Sequence, residues 1–132
     1  MTIFSKIIAG EIPSYKVAEN SDFYAFLDIN PIVKGHVLVV PKKEVDYLFD
    51  LDDETLGNMM IFSKRVAKAM KKTIPCNRIG VTVIGLEVPH AHIHLVPITK
   101  ESDILFNKPK QKLTPDEFKE IAAAIAENLE YR

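Results

Sequence analysis

The residues able to do chemistry lie in one run, His90-Ala91-His92-Ile93-His94-Leu95-Val96. Imidazole and apolar side chains alternate along it. Successive side chains of a strand take opposite faces, so His90, His92 and His94 are expected on one face and Ala91, Ile93 and Leu95 on the other. A rise of about 3.3 Å per residue puts neighbouring rings of the row roughly 6.6 Å apart, within reach of one phosphate-sized group. Packed as core, three imidazoles would each need polar partners. Left open, they offer two chemistries. Neutral imidazole, with a reference pKa near 6.5, keeps one bare nucleophilic nitrogen at neutral pH. It is also the commonest metal ligand, and a His-x-His pair on a strand can close on zinc at about 2.0 to 2.1 Å. The spacing admits both.

Bulk properties narrow the partners. A chain of 132 residues, 47% hydrophobic, is expected to form one domain over 1–132 with one ordinary core. Its net charge of -1 provides no general attraction to a nucleic acid polymer or an anionic membrane, so a nucleotide would have to be held by a local site. The single cysteine, Cys76, allows no internal disulfide and no cysteine-based zinc cluster, which points to a reducing cytoplasm. No apolar run approaches the roughly 18 residues that span a bilayer, and the first residues lack the layout of a signal peptide.

The elements that must position the histidines can be read in order. Residues 2 to 14 predict a short amphipathic helix or turn closed by Gly10 and Pro13, with Ile3, Phe4, Ile7 and Ile8 on one face. Tyr15 to Glu19 and Phe23 to Leu27 read as a hairpin around Asn20-Ser21-Asp22, with Asp28 at its end, in a sequence that favours a turn. Gly35 to Pro41 is almost wholly apolar, a buried strand with His36 as its odd member. Residues 52 to 72 predict a helix, acidic at its start and basic at its end, with Leu56, Met59, Met60, Val66, Ala67 and Met70 at helical spacing. Arg78 to Ile84 alternates as a further strand, and Gly85-Leu86-Glu87-Val88-Pro89 leads from it into the histidine run. Thr99 to Lys112, whose only apolar cluster is Ile104-Leu105-Phe106, reads as an exposed polar loop, with a segment folded over an active site, its own or a partner subunit's, as the alternative. The last helix begins at Thr114 as N-cap, with Pro115 at its first position and Glu117 completing a capping box.

His-x-His-x-His followed by two apolar residues resembles the signature of the histidine triad (HIT) superfamily of nucleotide hydrolases and transferases. Further blocks lie in family order: Ile3-Phe4-Ser5-Lys6-Ile7-Ile8-Ala9-Gly10-Glu11-Ile12-Pro13, Ala25-Phe26-Leu27-Asp28-Ile29-Asn30-Pro31 and Gly35-His36-Val37-Leu38-Val39-Val40-Pro41-Lys42. The resemblance implies an α+β fold, an antiparallel sheet of about five strands with one long central helix and a C-terminal helix, commonly a homodimer. It implies a purine pocket lined by Ile3, Phe4 and Ile7, with Phe26 and Ile29 as wall and Asp28 on the ribose hydroxyls. His92 would attack the α-phosphorus of a nucleotide derivative to give a nucleotidyl-histidine that water then opens. His94 and His36 would hold phosphate oxygens, while His90 would orient the row and assist proton transfer to the leaving group.

No metal is required by that scheme, although magnesium could accompany the substrate. The third histidine separates the chain from the family's uridylyltransferase branch, which has glutamine there. Phosphoramidates, acyl-adenylates and dinucleoside polyphosphates all remain candidate substrates, with the first two favoured by the compact single domain. The sequence departs from the family before the triad: Ile84 and Gly85 stand where an asparagine is usual, and Glu87 where a serine or threonine is. A zinc-dependent hydrolase, or a nucleotide-binding protein without activity, are the alternatives.

Overall fold

The structure, a computed structural model, describes residues 1–130, so the expected domain over 1–132 ends in two residues, Tyr131 and Arg132, that lie outside the described residues. Five antiparallel strands form one sheet: β1 (Lys16–Glu19), β2 (Phe23–Leu27), β3 (Val37–Pro41), β4 (Arg78–Thr82) and β5 (Ile93–Ile98), in the order β1-β2-β3-β5-β4. This is the expected α+β architecture. Strand β3 is central and buried at every position, as its apolar run requires.

The two-residue period divides the sheet into two apolar faces. Phe23, Ala25, Leu27, Val37, Val39, Ile93 and Leu95 face the main core, where helices α2 (Asp53–Thr73) and α3 (Pro115–Glu127) contribute Met59, Val66, Phe118 and Ile125. Tyr24, Phe26, Leu38 and Val40 form a smaller cluster on the other face with Phe4 and Ile7 of helix α1 (Ile3–Ile8). That second face carries the histidines. Both long helices start as the sequence predicts. The Asp52 carboxylate accepts the Thr55 N–H at 3.2 Å, and Thr114 and Glu117 exchange hydrogen bonds of 2.9 and 3.1 Å in a capping box.

Three expectations are corrected. The strand from Arg78 stops at Thr82, leaving Val83 and Ile84 outside the ladder. Met60, assigned to the apolar stripe of α2, is 48% exposed, because the buried arc runs through Met59, Phe62, Ser63 and Val66 and position 60 falls beside it. The segment after β5 is no free loop. It makes a 3-10 turn at Glu101–Ile104 and lies back across the sheet. A Cβ on Gly80 would come within 2.8 Å of Ile104 Cδ1, so a glycine in β4 is what allows this strap to lie so close.

Candidate active site

The three triad histidines do not form one uniform row. The β3–β5 ladder runs from Val37 opposite Leu95 to Val39 opposite Ile93, and stops there. Beyond it the Ala91 N–H bonds the Val45 carbonyl at 2.7 Å and the His90 N–H bonds the Val88 carbonyl at 2.8 Å. His90 therefore precedes the strand. Its ring is fully buried, with Nε2–H donating to the Pro41 carbonyl at 2.8 Å and Nδ1 2.7 Å from the Thr2 hydroxyl. Neither nitrogen is left for a substrate, so the expected part in leaving-group proton transfer has no geometry behind it.

His92, which also precedes the strand, and His94, which lies in it, are placed differently from His90. His92 Nδ1–H donates to the His90 carbonyl at 2.8 Å, a contact only an N–H can make, so neutral His92 carries its bare lone pair on Nε2. His94 takes its tautomer from a chain of contacts that starts at a backbone amide. The Ile32 N–H donates to His36 Nδ1 at 3.2 Å, which puts the His36 proton on Nε2, and this donates to His94 Nδ1 at 2.9 Å. His94 is then left with Nε2–H as a donor. Among the described residues the only buried side-chain polar atom without a partner is Ser63 Oγ, so the unpaired Nε2 atoms of His92 and His94 both reach the surface. The ring centroids are 4.9 Å apart. A bare nucleophilic nitrogen thus stands beside a protonated donor nitrogen.

His36 was expected to touch phosphate. It is 1% exposed with both nitrogens engaged, one by the Ile32 amide and the other by His94. Gly35 puts it there: the turn into β3 has φ 91° at this residue, a left-handed conformation that favours glycine. Burial and the nearby Lys110 ammonium hold the His36 pKa at about 3. Burial first, then His36 and His92, hold His94 at about 3 as well. His92 is lowered from 6.5, chiefly by burial. All three rings stay neutral at neutral pH.

Around this pair stand the other expected residues. Phe4 meets Phe26 edge-on at 5.6 Å and His92 at 5.1 Å, and Ile7 is buried beside them. Ile3 and Ile29 are 50% and 64% exposed, so both side chains stand at the surface and not in the buried cluster. Ile8 packs partly against the same cluster, as core. Asp28 Oδ1 accepts the Asn30 N–H at 2.8 Å as a turn former, while Oδ2 lies 3.7 Å from His36 Nε2 at the edge of the site. Glu87 is exposed on its loop.

The strap answers to the less favoured reading of Thr99 to Lys112, a segment folded over the site, although Phe106 was not singled out as a site residue. Phe106 sits edge-on to His94 at 4.8 Å and to His36 at 5.8 Å, so it covers the far side of their hydrogen bond, with the Lys110 ammonium 5.3 Å from its ring centroid. The Gln111 N–H to the Pro31 carbonyl at 2.8 Å ties the strap down. Its one sequence signal was Ile104-Leu105-Phe106, the sole apolar cluster in a polar stretch.

Asp28, His36 and His94 bring three ligand-type atoms within 4.8 Å of one another. They fit a metal poorly. Two nitrogens on one tetrahedral zinc stand about 3.3 Å apart, whereas these two are 2.9 Å apart and share a proton. A metal on His36 Nε2 would also force the proton onto Nδ1, against the Ile32 N–H.

A neutral ring with a bare nitrogen beside a neutral donor ring, on one face of an antiparallel sheet, can present a lone pair and a hydrogen-bond donor to one substrate group. The chain belongs to the HIT domain family, whose sequence profile matches residues 9–101. It is 39% identical over 130 residues to adenosine 5′-monophosphoramidase HNT1 of Saccharomyces cerevisiae, covering 97% of this chain and 82% of that one. Among solved structures it resembles a Hit-like protein involved in cell-cycle regulation from Bartonella henselae, at 34% identity and a TM-score of 0.83, covering 97% of this chain and 96% of that one. It also resembles a zinc-bound histidine triad family protein from Mycobacterium smegmatis, at 26% identity and a TM-score of 0.81, covering 96% and 91%.

Proposed function

We propose that the protein is a nucleotide hydrolase that cleaves the bond between the α-phosphorus of a purine nucleotide and its leaving group, with adenosine 5′-phosphoramidates as the favoured substrate class. The observation that carries this reading is the pair of tautomers, bare Nε2 on His92 and protonated Nε2 on His94. The base enters the slot of Phe4, Ile7 and Phe26, with Ile3 and Ile29 at its mouth, and the free Asp28 oxygen meets the ribose hydroxyls. His92 Nε2 gives its lone pair to phosphorus as the P–N bond breaks, and the leaving nitrogen departs as a neutral amine with a proton taken from solvent. His94 Nε2–H donates to a phosphoryl oxygen, where negative charge grows. Water then cleaves the nucleotidyl-histidine bond, freeing nucleoside monophosphate and restoring the neutral ring. The yeast relative, named for adenosine monophosphoramidase activity, supports the choice of leaving group.

No metal is needed in this scheme, and magnesium enters only as a companion of the substrate phosphates. Acid quench during turnover of an adenosine phosphoramidate should trap adenylylated protein whose label maps to His92, and EDTA should leave the rate unchanged. Loss of turnover on chelation, restored by zinc, would favour the metal hydrolase. AMP binding with no turnover and no trapped label would favour an inactive binding protein. The site of action fits the cytoplasm, where Cys76 stays a free thiol; among the described residues no helix is long and apolar enough to cross a membrane.

A homodimer is the proposed assembly. Edge strand β4 leaves Val81 49% exposed, and Val83 and Ile84 just beyond it 42% and 44% exposed, an apolar edge suited to a second copy. Sedimentation equilibrium should return twice the 14.9 kDa chain mass, and Val81→Glu should return the chain mass itself. A monomeric wild type would refute the assembly.

A further inference from the structure

His90 is fully buried, bonds no substrate-facing group, and yet is wired to the surface through side chains 46 to 88 residues away in sequence. The Thr2 hydroxyl lies 2.7 Å from His90 Nδ1 and also accepts the Ser5 N–H at 3.0 Å, so one oxygen caps α1 and holds the histidine. Glu44 closes the far side, with Oε1 accepting the Thr2 N–H at 2.8 Å and the Ser5 hydroxyl at 2.6 Å. The Ser5 proton is therefore committed to Glu44. Since Nε2–H of His90 is committed to the Pro41 carbonyl, the Thr2 hydroxyl proton goes to Nδ1, and each of these hydrogen bonds then has one donor and one acceptor.

What this group holds is the His90 peptide, whose carbonyl sets the His92 tautomer. Helix α1, whose first turn the group caps, carries Phe4, and the Phe4 ring touches both His90 and His92, at 5.7 and 5.1 Å. We infer that Thr2, Ser5 and Glu44 form a latch that acts through His90 to hold the His92 ring in its reactive tautomer and orientation, and that fastens the base-binding helix to the nucleophile. The three are positioning residues. The inference rests on His92 being the nucleophile, as proposed above. A ring turned by a fraction of an ångström keeps its surroundings but loses its line of attack, so the loss falls on kcat more than on binding.

The test compares full-length Thr2→Val, Thr2→Ser and Glu44→Gln with wild type. Nitrogen NMR of the imidazoles is recorded without nucleotide, alongside adenosine phosphoramidate turnover and AMP binding. Wild type should show His90 Nδ1 accepting a hydrogen bond and His92 protonated at Nδ1. Thr2→Val should shift the nitrogen resonances of both rings and lower kcat about tenfold or more, with AMP affinity within about threefold of wild type. Thr2→Ser should restore both readouts. Glu44→Gln, a near-isosteric change at an exposed position, should move the His90 resonances and lower kcat by a few-fold. The latch is overturned if Thr2→Val and Glu44→Gln leave the His92 nitrogens and kcat at wild-type values. It is equally overturned if affinity falls as far as kcat and serine does not rescue. The NMR readout needs no substrate, so a wild type that turns nothing over while its His92 tautomer still depends on Thr2 refutes the proposed reaction and leaves the latch standing.

Discussion

Replacing His92 with glycine is expected to reduce adenosine phosphoramidate turnover by at least about a thousandfold while leaving AMP bound, because the only bare imidazole nitrogen at the site is removed and no other group is placed to take over attack. His94 cannot substitute for it. Its Nδ1 is held by His36 and its Nε2 carries the proton. Rapid-quench kinetics under single-turnover conditions measures the loss directly, and calorimetric titration with AMP separates it from a failure to bind. Since the ring also packs edge-on to Phe4, His92→Asn serves as a second variant that keeps a polar group of similar reach. Residual turnover within about tenfold of wild type in both variants would place the nucleophile elsewhere.

Acid is the second large lever, and its sign follows from the buried rings. His36 and His94 have folded-state pKa values of about 3 against an ordinary 6.5, so between those limits the unfolded chain binds more protons than the folded one. Stability is complete above pH 6.5 and falls as the pH drops through this window. Each ring held neutral contributes a slope approaching about 1.4 kcal/mol per pH unit, and the two together remove about 4 kcal/mol by pH 5. That is a large part of the roughly 5 to 15 kcal/mol that holds a domain folded. The carboxylates held below their ordinary values, at Glu19, Glu44, Asp52, Asp103 and Glu117, add to acid loss at lower pH, as it falls through and below the ordinary 3.8 to 4.5 of their types. Urea unfolding between pH 7.5 and pH 4.5 should show this dependence, and His36→Asn should flatten it. A stability profile level from pH 7 to pH 5 would mean that the pair is hydrated or already protonated. Turnover should persist below pH 6.5, since His92 also stays neutral there, and should fall once that ring takes a proton.

The sequence by itself determined the sheet, both long helices and the alternation that sorts Ile93 and Leu95 from His92 and His94. Period-two and helical patterns and capping signals are local, and each is written within a dozen or so residues. It also brought forward the candidate residues of the site, the His-x-His-x-His run by its residue types and spacing, and Asp28 with the apolar N-terminal segment by the resemblance to the histidine triad family. Only the tertiary structure decided what each histidine does. Whether an imidazole nitrogen is bare or protonated depends on the atom opposite it, and those atoms come from far along the chain: the Ile32 amide for His36, the Pro41 carbonyl and Thr2 hydroxyl for His90. The position of Phe106 was hidden for the same reason. Phe106 looks like one aromatic in a polar loop until the chain returns across β4 and β5, where Gly80 leaves room for it to pass. Contacts of that kind have no period to betray them, and they distinguish a ring with a bare nitrogen, its donor neighbour and two fully engaged rings among four side chains of one type.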